Sequence, residues 1–231
     1  MRTAIAGAAV LLFLASCSKS APQAAPDTVA TQSTASVNAA PQNAVPPSDP
    51  SLASVGAPAP DFSLPDLDGK PIRLSLFKGK TVVLEWFNPG CPFVRASHTK
   101  GSLREAAKRH PDVVWIAINS GAPGKQGHGV EANRSGAEKF SMSYPILMDE
   151  DGAVGKRFGA TNTPHMYVID KDGVLVYRGA IDNSPDGEGE SPTGGRLVNY
   201  VDAALADIAA GKKVATAETK AYGCSVKYAA K

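Results

Sequence analysis

Thr81-Val82-Val83-Leu84-Glu85-Trp86-Phe87-Asn88-Pro89-Gly90-Cys91-Pro92-Phe93-Val94 changes character three times in fourteen residues. Thr81 to Phe87 is an apolar, β-branched run and reads as a buried central strand. Asn88-Pro89-Gly90 is turn chemistry. From Pro92 to about His110 the spacing is helical, weakened near Gly101-Ser102. A cysteine therefore stands at a strand-to-helix turn. The first N–H groups of a helix are unpaired and partly positive, so they stabilise a thiolate there. Pro92 suits the first helical position, where a missing N–H costs nothing. A stabilised thiolate is a nucleophile at neutral pH. The alternative is a small buried apolar cysteine with no chemistry.

Outward from this stretch, the elements follow in a regular order. Asp61 to Leu64 and Pro71 to Leu74 flank Asp66-Leu67-Asp68-Gly69, a hairpin signal. Val113 to Ile118 is a second buried strand, and Val130 to Ser141 a helix after the Gly-rich stretch 121–129, which reads as a flexible loop. Tyr144 to Met148 contains Pro145 and fits a short edge element. A short helix over Ala153 to Phe158 is closed by Gly159. Met166 to Ile169 and Val174 to Arg178 are strands joined through Asp170-Lys171-Asp172-Gly173. Leu197 to Ala209 is predicted as the last helix, ended by Gly211. A hairpin, then β-α-β-α, then β-β-α, implies an α/β domain: a mixed sheet with helices on both faces.

The ends of the chain differ from this core. Arg2 and the apolar run Ala4 to Leu14 form a targeting segment too short to span a bilayer. It ends in Leu14-Ala15-Ser16-Cys17, which resembles the lipobox of bacterial lipoproteins, where the cysteine is lipidated. The division expected is a signal peptide over 1–16, lipidated Cys17 with an Ala/Pro/Ser-rich disordered tether over 17–54, one domain over 55–211, and a tail over 212–231. The chain is then anchored by lipid on the periplasmic side of a bacterial membrane, or secreted to the periplasm by an ordinary signal peptide. With 24 basic and 22 acidic residues the charge is nearly balanced, which argues against a nucleic-acid binder. Of three cysteines, Cys17 is spent on lipid, leaving Cys91 and Cys224 as one pair in an oxidising compartment.

The element order with a cysteine after the first central strand resembles the thioredoxin fold, here with an N-terminal β-hairpin extension. More narrowly, residues 55–231 are similar to the redoxin group of AhpC/TSA peroxiredoxin-like and TlpA-type proteins. Three ordered motifs carry the likeness: Asn88-Pro89-Gly90-Cys91-Pro92-Phe93-Val94, Ala117-Ile118-Asn119-Ser120 and Gly223-Cys224-Ser225-Val226-Lys227. The resemblance implies a cis proline at Thr163-Pro164, beside the reactive cysteine, presenting backbone for an extended substrate. It also implies that Glu85 is a buried acid able to shuttle protons.

The departures are informative. Val94 stands where a dithiol thioredoxin has its second cysteine, so a Cys-x-x-Cys disulfide is impossible. The peroxiredoxin pattern Pro-x-x-x-Thr-x-x-Cys is replaced by Leu84 and Asn88. A peroxidase needs a donor to the leaving oxygen and a charge to hold the thiolate; Asn88 is a candidate for the first and Arg95 for the second, with Arg178 a weaker one. His98, His110, His128 and His165 show no ligand spacing, so no metal is expected, nor any cofactor; His165, next to Pro164, is placed near Cys91. Asp182 to Glu190 reads as a solvated acidic loop. The function implied is a thiol oxidoreductase in which Cys91 attacks a peroxide or a protein disulfide, Cys224 resolves, and a thiol reductant restores the pair. The rival is a redox-inert lipoprotein using the fold as a binding or structural module.

Overall fold

The computed structural model describes residues 52–230; the signal segment, Cys17 and nearly all of the tether lie outside the described residues. The central sheet has five strands in the order β5-β4-β3-β7-β8. They are β3 (Val82–Trp86), β4 (Val114–Asn119), β5 (Ile146–Met148), β7 (His165–Ile169) and β8 (Leu175–Gly179). Strand β4 runs parallel to β3 and β5, and β7 runs antiparallel to β3 and β8. Before the sheet comes the hairpin of β1 (Ser63–Pro65) and β2 (Pro71–Arg73). This is the mixed, thioredoxin-like sheet expected from the sequence.

Period-two alternation along β3 divides the core. Val82, Leu84 and Trp86 pack on one face with Ile116, Ile118, Phe158 and Tyr167. Val83 packs on the other with Trp115, Met166, Val168, Tyr177, Val201 and Leu205. Phe87 continues that second side into a smaller cluster with Cys91, Val94, Ala117, Phe140 and Ile146. The two hairpins use one device. Asp66 Oδ1 accepts from the N–H groups of Asp68 and Lys70, and Asp170 Oδ1 from those of Asp172 and Val174. Gly69 and Gly173 take the positive φ each turn needs, +80° and +83°.

Three of the predicted helices are shorter than the periodicity implies, and the short one over Ala153–Phe158 keeps its bounds. The run from Pro92 divides into α1 (Pro92–Thr99) and α2 (Ala106–Arg109). The break falls at the weak Gly101-Ser102 point, and there the Gly187 oxygen would lie 2.2 Å from a Cβ at Gly101, so the loop seats only against glycine. Helix α3 spans Val130–Lys139 and α4 Ala153–Phe158, the latter ended by Gly159 in the left-handed region. The last helix, α5, is Tyr200–Ala209, capped by the Asn199 side chain accepting from Asp202 N. Leu197 and Val198, predicted as its first turn, are 36% and 41% exposed; Val198 instead pairs through its backbone with Asn183.

The tail after Gly211 is ordered by pairing rather than by periodicity. It climbs the outer edge of β8, where Arg178 N donates to Ala217 O and Thr219 N to Arg178 O. It then crosses to the active end of the sheet. There β9 (Cys224–Ser225) pairs antiparallel with β6 (Asn162–Thr163), with Thr163 opposite Cys224.

His165 on β7 makes the fold acid-sensitive. Burial first, then the charge of Arg178, lowers its pKa from 6.5 to about 4. Its folded pKa lies below its unfolded one, so its contribution is complete above pH 6.5 and is lost as pH falls towards 4. The loss is at most roughly 3 kcal/mol, partly offset by Asp149, whose carboxyl is raised by burial. Denaturant midpoints at pH 7 and pH 4.5 are expected to differ in the wild type and to differ much less in His165→Gln.

Candidate active site

The turn that carries Cys91 is held by carboxamides. Asn88 Oδ1 accepts from Gly90 N (2.8 Å), and Asn88 Nδ2 donates to Gln126 O (3.1 Å). Gln126 returns a bond from Nε2 to Gly90 O (3.0 Å). A Cβ at Gly127 would sit 2.1 Å from Asn88 Oδ1, and φ there is +76°, so glycine is required twice over. Asn119 folds the same loop from behind, accepting from Gly121 N and donating to Gly127 O and Asn133 Oδ1. The Gly-rich stretch read as a flexible loop is thus a tied brace for the turn. Asn88, expected to donate to a leaving oxygen, has both its amide atoms engaged in this brace.

Cys91 is the N-cap of α1, with Pro92 at the first helical position. It is fully buried. Its thiol donates to Thr163 O at 3.1 Å, and the Thr163–Pro164 bond is cis, as expected. Burial pushes the Cys91 pKa up, but the polar groups of Cys224, Thr163 and Val94 around the sulfur outweigh it, and the net direction is down. Cys224 moves the other way, to about 11, through burial, its hydrogen bond to Cys91 and the charge of Cys91. Both thiols are free. The two shifts run in opposite directions, which makes Cys91 the more acidic thiol of the two.

This assignment has a direct check. Alkylation of Cys91 against pH is expected to show a midpoint below the free-thiol value of about 8.5. In Cys224→Ala the midpoint is expected to rise, because the main hydrogen bond favouring the thiolate is gone.

Glu85 is buried, as expected, and its partners are two residues that sequence reasoning did not assign. Glu85 Oε1 lies 2.9 Å from His98 Nε2, and Oε2 accepts from Tyr144 OH at 2.8 Å. His98 stacks on Phe140 (5.4 Å between centroids) and meets Phe87 edge-on. Burial and the Glu85 charge drive the Tyr144 hydroxyl well above its usual pKa. The signal available was that His98 follows Cys91 by two helical turns, on the face of α1 that packs inward.

Arg95, Arg178 and Asp182 depart from expectation. Arg95 is exposed and lines an open groove of about 490 Å³ with Phe93, Lys100, Lys139 and Glu188. Cys91 caps α1 instead of lying on it, so i to i+4 spacing does not bring the two side chains together. Arg178 donates to Ala53 O and pairs with Glu218. His165 follows the cis Thr163–Pro164 bond, accepts from Thr161 N and lies 3.2 Å from Tyr167 OH. Asp182, read as part of a solvated loop, is buried and accepts from Tyr222 OH at 2.8 Å.

Comparison with known proteins agrees with this geometry. The family model described as Redoxin matches residues 54–194. Peroxiredoxin Q, chloroplastic, of Sedum lineare is 33% identical over 135 residues, covering 53% of this chain and 67% of that protein. Thiol-disulfide oxidoreductase ResA of Geobacillus thermodenitrificans is 33% identical over 121 residues, covering 52% of this chain and 66% of that protein. The match covers 58% of peroxiredoxin Q from Triticum aestivum, so the chain spans about two thirds or less of the curated relatives it matches. Among solved structures, a hypothetical protein from Sinorhizobium meliloti superposes with a TM-score of 0.65 at 27% identity, covering 77% of this chain and 96% of that one. An uncharacterized conserved protein from Geobacillus kaustophilus gives 0.65 at 30%, covering 78% and 95%. With a family model matched over more than half its length and a cysteine-capped helix facing a cis proline, the chain belongs to the Redoxin family.

Proposed function

We propose that the chain is an extracytoplasmic thiol oxidoreductase in which Cys91 is the nucleophile and Cys224 the resolving cysteine. One observation carries this: Cys224 lies opposite Thr163 in the β6–β9 pair and packs against the cluster that holds Cys91, whose thiol contacts the Thr163 carbonyl. With a peroxide, the Cys91 thiolate attacks one oxygen, the O–O bond breaks, and the leaving alkoxide or hydroxide takes up a proton. Cys91 becomes a sulfenic acid and the peroxide is reduced by two electrons. Cys224 then attacks Cys91 Sγ, the S–O bond breaks, and water leaves with the Cys224 proton. With a disulfide, the same thiolate attacks one sulfur, the substrate S–S bond breaks and one substrate thiolate leaves; Cys224 then attacks Cys91 Sγ in the mixed disulfide and the other substrate sulfur leaves as a thiol. In both cases a Cys91–Cys224 disulfide remains and a thiol reductant must supply two electrons.

The timing follows from the electrostatics. Two of the causes that hold Cys224 near 11 are its hydrogen bond to Cys91 and the charge on Cys91. Both end when Cys91 is oxidised, so Cys224 becomes easier to ionise when its attack is required. The test is mass spectrometry of the reduced protein after one equivalent of hydrogen peroxide. A 91–224 disulfide is expected; two unmodified thiols would count against the assignment.

Location rests on the N-terminal segment. Arg2, the apolar run to Leu14 and Leu14-Ala15-Ser16-Cys17 support export and lipid attachment at Cys17. Cys17→Ala is expected to abolish incorporation of labelled palmitate in a bacterial host and to shift the protein out of the membrane fraction.

A further inference from the structure

We propose that Gly223–Val226 occupies the strand position an extended protein substrate would take, so that the site admits small hydroperoxides and excludes protein disulfides. This rests on the catalytic assignment above and names its substrate class.

The pairing edge beside Cys91 is β6, and the chain's own tail fills it. Asn162 pairs with Ser225 and Thr163 with Cys224. Val226 N donates to Thr161 O at 3.0 Å, and Asn162 Nδ2 to Gly223 O at 3.0 Å. An incoming strand would need these same backbone groups. The approach is close: Gly223 has φ +100°, and a Cβ there would lie 2.3 Å from Thr163 O. Under this cover Cys91 has no exposed surface.

The cover is pinned on both sides of Cys224. Upstream, the Tyr222 hydroxyl donates to buried Asp182, and its ring lies 6.0 Å from that of Phe93. Downstream, Lys227 O accepts from Ala122 N. The Tyr228 hydroxyl donates to Ala160 O at 2.9 Å. The Tyr228 ring rests on Gly152 and its hydroxyl against Gly155, where a Cβ would meet them at 2.5 and 2.4 Å. A peroxide needs an opening the size of two oxygen atoms, which a brief local fluctuation of β9 supplies. A protein disulfide needs the whole strap removed, including both tyrosine anchors.

Tyr228→Ala removes the downstream anchor and keeps both cysteines. The fully reduced protein is mixed, without other thiols, with hydrogen peroxide or with insulin, and formation of the 91–224 disulfide is followed by mass spectrometry. The wild type is expected to react with peroxide and at least a hundredfold more slowly with insulin. In Tyr228→Ala the ratio of the two second-order rate constants is expected to move at least tenfold towards insulin. Labelling with a polyethylene-glycol maleimide reads the strap without turnover: Cys91 in Tyr228→Ala is expected to react at least tenfold faster than in the wild type. Gly223→Ala, which strains the β6–β9 approach, should act in the same direction if Tyr228→Ala folds poorly. A wild type that reduces insulin as readily as its variants overturns the proposal, as do equal labelling rates. If labelling differs as expected but neither form reacts with peroxide, the catalytic assignment fails and the substrate class with it.

Discussion

Cys91→Ser is expected to lower peroxide turnover by on the order of 10³-fold or more, and Cys224→Ser to stop the reaction after one equivalent. The two effects differ because the two sulfurs do different jobs. A serine hydroxyl at position 91 stays protonated at neutral pH, and the hydrogen bonds that favour a thiolate there do not make it a nucleophile. Without Cys224 the first attack remains possible, since Cys91 still caps α1 with Pro92 at its first position. The sulfenic acid then has no partner. It is expected to accumulate and to be trapped by dimedone in Cys224→Ser, and not to be trapped in Cys91→Ser. First attack should also be slower in Cys224→Ser by a modest factor, because a donor that stabilises the Cys91 thiolate is altered. Full multiple-turnover activity in Cys224→Ser would show that an outside thiol resolves Cys91 and that the tail cysteine is dispensable.

Much of this architecture was legible because it rests on short-range rules. The run Thr81 to Phe87, the Asn-Pro-Gly turn and Pro92 each state a local conformation, and β3, the turn and α1 follow them. Asp66 and Asp170 announce their hairpins through turns that close within four residues. What was not legible depends on approach between distant segments. The Gly187 carbonyl seats on Gly101, 86 residues away in the chain. The Gly-rich loop is rigid because Asn88, Asn119 and Asn133 each reach it, and no local pattern encodes that convergence.

The site divides in the same way. Cys91 could be found from its own neighbourhood. The position of Cys224 could be judged only from how far the tail after Gly211 can climb, and pairing along β8 and then β6 is the route it takes. Arg95 was misplaced because helical spacing was applied to a residue that caps the helix. His98 and Tyr144 were missed because their partner, Glu85, is 13 residues from one and 59 from the other, and only tertiary packing joins them.

Glu85→Ala is expected to destabilise the fold by about 3–5 kcal/mol, read from the denaturant midpoint at neutral pH. Glu85 is fully buried, and each carboxylate oxygen has one close partner. Removing it orphans the Tyr144 hydroxyl and the His98 Nε2 in an apolar surround of Phe87 and Phe140. Each orphaned group costs about 1–3 kcal/mol, and the cavity adds to that. Glu85→Gln keeps the volume and can still accept from Tyr144 while offering an N–H to a neutral His98, so its loss should be less than half as large. That difference separates two roles for the residue. If Glu85 only braces α1 against β3 and the segment before β5, Glu85→Gln should leave the rate of 91–224 disulfide formation within a few-fold of wild type. If Glu85 also moves the proton released when Cys224 attacks, the same variant should slow that step by tenfold or more with its stability largely retained. Neither carboxylate oxygen has Cys91 as a hydrogen-bond partner, so a proton role would have to run through an intervening group, and slow resolution in a stable Glu85→Gln protein is the result that would require one.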